Sequence, residues 1–544
     1  MAISRRKFLV STVAGSAVAA VAGTELVSAL TSTALAASPA GDVVGKITVG
    51  YQGWFACIGD GAPINAWWHW SNNQSQPPSP SNNNVKAWPD MPEYTKTYKT
   101  AYANFNNGQP ATLFSSYDQQ TVNTQFLWMQ QNGCDTAALQ RFNPTGGEGP
   151  TRDAVTAKVR TAAETYGRKF YIMYDVSGWT TMQADIKADW TNKMSAYTSS
   201  TAYARQNGKP VVCIWGFGFN DSNHPFDAAA CLDVVNWFKS QGCYVIGGVP
   251  TYWRTGVNDS RSGFLGVYHA FNMLSPWMVG RIGSAADSDS FYTNVNTGDQ
   301  ADCNANNIDY QPCVLPGDLS ARQRAHGDFM WRQFYNMVRV GAQGIYISMF
   351  DEYGEGNQIA KTAATQATVP ANSGLLSLDE DGTACSSDYY LRLTNDGGRM
   401  LKKQIALTAT RPTQPAGSST PPTSPPTSPA AGCGALAANQ KIGVNQSVLS
   451  CDGRFNLILG GDGNFVLYQG STALWSANTA GKGGTEAILQ GDGNLVIYTT
   501  AGSPVWASNT AGNSGATLSV QNDGNVVIYS SAGKALWSTG TAGH

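Results

Sequence analysis

Charged side chains are scarce. Asp, Glu, Lys and Arg make up 13% of the 544 residues, about half the usual share of a soluble domain. The two signs also cancel, with 35 Lys plus Arg against 37 Asp plus Glu and a formal net charge of -2. No long-range field draws nucleic acid or anionic lipid, so neither is expected as a partner. Neither C-x-x-C nor H-E-x-x-H occurs, so no zinc ribbon or zincin is implied, and no metal or cofactor is expected. Beyond the N-terminus there is no apolar run of about 18 residues, so the mature chain is expected to have no membrane partner. Glycine (58), tryptophan (16) and tyrosine (23) are plentiful instead, and 42% of the chain is hydrophobic. That profile suits a secreted, aromatic-rich carbohydrate protein. At roughly 150 residues per domain, the length predicts several units.

Residues 1–36 read as a twin-arginine export signal: Ser4-Arg5-Arg6-Lys7-Phe8-Leu9, a weakly apolar stretch, then the small-residue cleavage site Ala34-Leu35-Ala36. The mature, secreted chain then starts near Ala37. A retained anchor is the competing reading, but Ser11, Thr12, Ser16, Thr24 and Glu25 interrupt the run. Ten cysteines in an oxidising destination make disulfides plausible, with Cys433–Cys451 and Cys303–Cys313 the first local pairs to test.

Residues 408–431, TATRPTQPAGSSTPPTSPPTSPAA, form a Pro/Ser/Thr tract without core-forming residues and read as a linker. At about 3.1 Å per residue it can separate its flanks by roughly 70 Å. After it, in residues 432–544, Asp462-Gly463-Asn464-Phe465-Val466-Leu467-Tyr468 recurs at 492–498 and 523–529, each copy followed by a tryptophan segment. Three copies about 30 residues apart imply a threefold all-β unit in which no copy closes a core alone. Trp475, Trp506 and Trp537 are then shared core.

Before the linker, in residues 37–407, strand-like runs at 47–51, 136–142, 170–174, 211–215, 244–249, 272–279, 308–314 and 344–349 alternate with helical patterns. Candidate helices include 122–131, 154–165, 227–239 and 321–338. This alternation favours a (β/α)8 TIM barrel over a doubly wound sheet. A ninth strand candidate, 112–117, belongs to a long first loop, 54–119, expected to overhang the barrel mouth.

The last strand runs into Phe350-Asp351-Glu352-Tyr353-Gly354-Glu355, which places three acids just past its C-terminal end. In such barrels the loops there converge on the open mouth. Glycoside cleavage needs a carboxylic acid to protonate the leaving oxygen and a second carboxylate as nucleophile or base. Glu352 and Glu355 suit that pair, and their mutual repulsion would divide acid from base. The competing reading is a solvated acidic loop or a helix N-terminal charge pattern. Asp351 either orients Glu352 or caps the turn. Arg141, Asp175, Trp215, Tyr252, Trp277 and Arg281, all near strand ends, are expected to face the mouth as sugar-stacking or hydrogen-bonding groups. His69, among Trp67, Trp68 and Trp70, is either a substrate contact or a loop-packing residue.

GYQGWF at 50–55, GDG at 59–61 and WWHW at 67–70 resemble the opening of glycoside hydrolase family 71/99-like proteins. The E-x-x-E-G-x-Q-I segment from Glu352 to Ile359 is similar to E-W-H-E-G-T-Q-I of family 99 endo-α-mannosidases. The resemblance implies a metal-free, retaining α-mannoside-cleaving enzyme. It gives Glu352 the sugar 2-OH proton, with an anhydro-sugar intermediate, and makes Glu355 the general acid and then base. Tyr353 and Gly354 replace Trp and His of the family pattern, a departure that bears on the sugar contacts made there and so on linkage specificity; Tyr353, and Trp70 in the WWHW segment, are substrate-contact candidates. The family 71 branch implies α-1,3-glucan cleavage as the enzymatic alternative.

In the repeats, Gln490, Asp492, Asn494, Val496 and Tyr498 share one strand face at period two, as do Gln521, Asp523, Asn525, Val527 and Tyr529. A turn requirement explains Asp-Gly-Asn but not Gln and Tyr at those offsets. Q-x-D-x-N-x-V-x-Y resembles the bulb-type mannose-binding lectins. That implies a β-prism in which Asp and Asn meet the axial 2-OH, Gln the 3-OH and Tyr the 4-OH. The first copy keeps Asp462, Asn464, Val466 and Tyr468 but has Gly460 in place of Gln, which implies a weakened site. Together these features predict a hydrolase of α-mannose-rich polysaccharide or glycans, held there by its lectin module. The non-enzymatic alternative is a mannose-binding adhesin with an inactive barrel.

Overall fold

A computed structural model describes residues 38–416 and 434–543, except 445, 451–453, 470–471 and 522. The export signal, most of the linker, Cys433 and Cys451 lie outside the described residues. The chain divides into two compact units, Met1–Ser419 and Thr420–His544.

The first unit is a TIM-barrel-like domain. Its strands are β1 (Ile47–Tyr51), β2 (Tyr98–Lys99), β3 (Thr112–Leu113), β4 (Thr136–Arg141), β5 (Lys169–Asp175), β6 (Arg205–Gln206), β7 (Lys209–Trp215), β8 (Tyr244–Val249), β9 (Met273–Pro276), β10 (Asp309–Tyr310), β11 (Cys313–Val314) and β12 (Ile345–Ile347). The parallel order is β10-β9-β8-β7-β5-β4-β1-β12-β11. β10 pairs with β9, and β11, two residues further along the same segment, pairs with β12. Each of the eight expected runs carries strand. β2 and β3 form a small antiparallel pair inside the long first loop.

Nine α-helices accompany the sheet among the described residues: α1 (Gln119–Gln131), α2 (Gly149–Thr165), α3 (Met182–Asn192), α4 (Ala228–Ser240), α5 (Leu265–Tyr268), α6 (Ala285–Phe291), α7 (Thr297–Ala305), α8 (Asp328–Val340) and α9 (Tyr389–Leu401). None is long and apolar enough to cross a membrane. The helix expected from 321 begins instead at Asp328, because His326 (φ 37°) and Gly327 (φ 94°) are left-handed and break the first turn. The Asp227 carboxylate caps α4 by accepting from Ala230 N at 2.7 Å.

Strand register sorts the side chains. Gly50, Ala138 and Tyr171 are level, as are Gln140, Met173 and Cys213, then Asp175, Trp215, Gly248 and Ser275. These face the barrel interior, where Tyr346 Oη reaches Met173 Sδ at 3.6 Å. Gly50 is required there, because a Cβ would collide with Tyr346 and Met349. The alternate residues face the helices: Tyr51 Oη donates to Gln125 of α1 at 2.5 Å.

The eight described cysteines are buried and form no disulfide among themselves, so Cys303 and Cys313 are not joined. Cys313 is level with inward-facing Tyr346, whereas Cys303 sits on α7 outside the sheet. The barrel wall separates the two.

Residues 408–416, expected as linker, lie against the first unit. Trp331 Nε1 donates to Thr408 O at 3.1 Å, Arg411 Nε to Asp328 at 2.8 Å, and Thr413 Oγ1 to Asp396 at 2.7 Å. The prolines there do not prevent docking because neighbouring polar groups supply the contacts.

The second unit contains β13 (Ala435–Leu436), β14 (Lys441–Gly443), β15 (Ser447–Leu449), β16 (Phe455–Leu459), β17 (Phe465–Gln469), β18 (Thr472–Ser476), β19 (Gly484–Leu489), β20 (Leu495–Thr499), β21 (Pro504–Ala507), β22 (Thr517–Val520), β23 (Val526–Tyr529) and β24 (Ala535–Ser538). They form three antiparallel four-stranded sheets, β13-β22-β23-β24, β14-β19-β20-β21 and β15-β16-β17-β18. Leu467, Leu495, Ile497 and Ile528 point into one shared core. Trp475, Trp506 and Trp537, expected within that core, are instead half-buried against it and meet one another edge to face, with ring centroids 5.5–5.8 Å apart. That is the geometry aromatic quadrupoles favour.

Candidate active site and sugar-binding faces

The chain leaving β12 folds back on itself. Phe350 N donates to Gly50 O at 2.7 Å, and Asn357 N to Glu352 O at 3.1 Å. Asp351 is fully buried and accepts from the backbone N–H of Gln52 at 2.7 Å and of Gly53 at 2.9 Å. Burial lifts its carboxyl to about 6, while those two N–H groups and Arg152 pull it down. Gln52 stands just past the end of β1, and its Nε2 donates to Glu352 Oε2 at 2.5 Å. Glu352 is 3% exposed and Glu355 7%, so neither projects into bulk water. Gly354 keeps the bend narrow, since a Cβ there would lie 3.0 Å from Glu352 Oε1.

The inward-facing residues beside them include Asp175 and Trp215, level with each other, and Gln140, level with Met173. Trp277, two residues past inward-facing Ser275, meets Trp215 edge to face at 5.4 Å. Asp175 is buried and accepts from Ser177 N at 3.1 Å and Ser177 Oγ at 2.6 Å. Gln52 Oε1 and both amide atoms of Gln140 are buried with no hydrogen-bond partner. Buried amide atoms left unsatisfied by the protein, as on Gln52 and Gln140, are what an occupied or hydrated barrel mouth provides for.

Arg141, Tyr353, Trp70 and His69, expected as substrate contacts, are committed to buried internal partners. Arg141 points into the helix layer, where Nε and Nη2 bind Asp189 of α3 at 2.6 and 2.5 Å and Nη2 binds Asp153 of α2 at 2.7 Å. A strand's two-residue period sends Arg141 outward and Gln140 inward. Tyr353 is buried in a cluster with Phe55, Trp70 and Phe114, and its Oη donates to Lys361 O at 2.9 Å. Trp70 is fully buried, stacked on Phe55 at 3.9 Å and donating to Phe114 O at 3.1 Å. His69 lies flat on Trp54 at 3.6 Å, and burial together with Arg152 holds its imidazole well below the usual value. These three residues pack the first loop, because so dense an aromatic group is more stable buried than at a rim. Tyr252 is half-buried against Phe291 at 6.2 Å. Arg281 is paired with Asp259 at 2.9 Å, and Asp259 in turn accepts from Thr251 N and Tyr252 N, both at 3.1 Å.

Sequence reasoning passed over Gln52, Gln140 and Glu148. Gln52 lies inside the GYQGWF segment, whose pattern alone does not single it out. Glu148 stands between β4 and α2, where burial raises its carboxyl above the usual range and Arg152 opposes that. Its signal was position in a loop at the barrel's C-terminal face. Among the described residues no group of three His, Cys, Asp or Glu could hold a metal ion.

In the second unit only Val496 and Tyr498 lie on β20 and Val527 and Tyr529 on β23; Gln490, Asp492 and Asn494, like Gln521, Asp523 and Asn525, lie in the turn before the strand rather than on its face, and the turn brings each Gln to its Tyr. Gln490 Nε2 donates to Tyr498 Oη at 2.9 Å, and Gln521 Nε2 to Tyr529 Oη at 2.8 Å. Asp492 and Asp523 each accept from the backbone N–H of the following Asn, both at 3.0 Å. Asn494 Oδ1 accepts from Ser508 Oγ and Thr510 N, both at 3.1 Å, and Asn525 Oδ1 from Thr539 Oγ1 and Thr541 N at 3.0 and 3.2 Å. Those bonds aim each amide. Val466, Val496 and Val527 are buried but outside the core, on the same strand face as the Tyr of each copy. The first copy keeps the turn, with Asn464 N on Asp462 Oδ1 at 2.9 Å, but Gly460 supplies no amide to Tyr468.

No family model and no curated protein matches the chain. Among solved structures, the GH99 endo-α-mannosidase from Bacteroides thetaiotaomicron is 14% identical, covering 66% of this chain and 98% of its own, with a TM-score of 0.48. The Japanese Marasmius oreades lectin is 37% identical over 20% of this chain and 94% of its own, with a TM-score of 0.20. The mannose-specific agglutinin from snowdrop (Galanthus nivalis) bulbs, complexed with methyl-α-D-mannoside, is 36% identical over 20% of this chain and 96% of its own, with a TM-score of 0.17.

Proposed function

We propose that the chain is an exported glycoside hydrolase of α-mannose-containing polysaccharide or glycans. Its first unit acts as a (β/α)8 barrel enzyme, and its second acts as a β-prism module that holds it on mannose-rich surfaces. The observation that carries this reading is the buried pair Glu352 and Glu355 on one bend past β12, with Glu352 held by Gln52.

In the proposed reaction Glu352 takes the proton of the sugar 2-OH as O2 attacks C1, while Glu355 gives a proton to the departing glycosidic oxygen. Water then opens the 1,2-anhydro sugar at C1. Glu355 takes the water's proton, and Glu352 returns its own to O2. Two inversions at C1 give net retention. The Gln52 amide stabilises the Glu352 carboxylate and aims it, which favours the anion that starts the cycle. Trp215 and Trp277 offer apolar faces for pyranose C–H groups. Gln490 and Gln521, each already bonded to its Tyr, present two ordered mannose sites, and the repeated geometry raises avidity on a polymer.

Digestion of α-mannan and α-1,3-glucan side by side tests the reading. Mannose-containing products support it. Products from glucan alone move the substrate to the alternative, and no product from either leaves a mannose-binding protein.

A further inference from the structure

Behind Trp215 lies a chain of polar side chains that the proposed hydrolysis does not use. Ser177 follows β5, while Asp221 and His224 lie in the loop after β7. Ser177 Oγ is 2.6 Å from Asp175 Oδ1 and 3.0 Å from His224 Nε2, and His224 Nδ1 is 2.8 Å from both Asp221 oxygens. The His224 and Asp221 side chains are only 5% and 6% exposed.

This is the spacing of a nucleophile, base and acid, but the donors decide against that role. An ionised carboxylate only accepts, so the single hydroxyl proton of Ser177 goes to Asp175, and the Oγ lone pair faces a proton on Nε2. Asp221 requires a proton on Nδ1 for the same reason. The backbone donors that acyl transfer would need are also taken. Ser177 N donates to Asp175 at 3.1 Å, Gly178 N to Asn223 O at 2.8 Å and Trp179 N to Val176 O at 3.1 Å. Phe219 and Trp215 cover the imidazole with ring centroids at 5.2 and 5.5 Å, and Arg261 Nη2 holds His224 O at 2.8 Å.

We propose that Asp221, His224 and Ser177 form a positioning relay. With His224 donating from both ring nitrogens, the relay holds the Asp175 carboxylate at the barrel mouth to accept a sugar hydroxyl. The sugar contact rests on the hydrolase reading. The direction of the hydrogen bonds does not.

The test labels the full chain with 15N-histidine and finds His224, among the five histidines, by the signal lost in His224→Gln. With the Asp175 and Asp221 carboxylates ionised, the relay predicts a proton on each ring nitrogen in the wild type. Ser177→Ala, at an exposed position, removes the Nε2 acceptor and leaves that nitrogen bare. In hydrolysis assays Ser177→Ala raises KM severalfold, more than it lowers kcat, and Ser177→Thr restores it. A wild-type His224 with one bare nitrogen, or fluorophosphonate labelling of Ser177, overturns the relay whatever the enzyme's activity. Two protonated nitrogens with KM unchanged in Ser177→Ala overturn the sugar contact alone.

Discussion

Gln52 bridges two acids of the same bend: its side-chain Nε2 donates to Glu352 Oε2 at 2.5 Å, and its backbone N–H donates to Asp351 Oδ1 at 2.7 Å. Asp351 therefore reaches Glu352 through the end of β1 rather than directly. Gln52→Ala removes the donor and frees the carboxylate to rotate, so kcat falls about 10- to 100-fold, the usual cost of losing such a support. Gln52→Glu sets a second carboxylate against Glu352, which raises the pair's apparent pKa and moves the acid limb of the kcat/KM profile upward. Steady-state rates across pH 4–8 read both effects.

Asp351 itself sets a pH dependence of stability. Its carboxyl rises from the ordinary 3.8 to about 6 on folding. The folded state therefore binds the proton more tightly than the unfolded chain, and stability falls as pH climbs between those values. The full effect is about 3 kcal/mol. In Asp351→Asn, urea unfolding at pH 4 and pH 6.5 shows this slope removed. Overall stability is also lower, because the amide cannot accept from both Gln52 and Gly53.

Adjacent residues on β4 are expected to fail in opposite ways. Arg141→Ala leaves Asp189, only 2% exposed, as a buried unpaired carboxylate and costs about 3–5 kcal/mol in unfolding free energy. Gln140→Ala breaks no bond within the protein, so its melting temperature moves little while KM for the glycan rises.

Calorimetry with methyl-α-mannoside is expected to count two sites on the second unit. Asp492→Asn and Asp523→Asn each remove one.

The strands were legible because each is a short apolar run bounded by turn residues, and the threefold unit because it repeats in sequence. Side-chain direction was less so. Arg141 and Gln140 differ by one position, and nothing local says which faces inward. Only the register with Met173 and Tyr174 on β5 settles it. His69 and Trp70 suit a substrate contact by residue type, because aromatic side chains near an active-site loop stack on sugars, and for His69 packing within the loop is the equal alternative. Their burial depends on Phe55, Phe114 and Tyr353, which come from three distant segments. The Cys303–Cys313 pairing looked reasonable by spacing alone, since sequence distance carries no information about which side of the wall each thiol occupies.

The most direct test of the central claim compares the rate of α-mannan hydrolysis by the wild type with Glu352→Gln and Glu355→Gln, while mannose binding by the second unit is monitored in each. A loss of about 10³-fold or more in both variants, with binding retained, is the predicted result. Wild-type hydrolysis that persists unchanged in either variant contradicts the account.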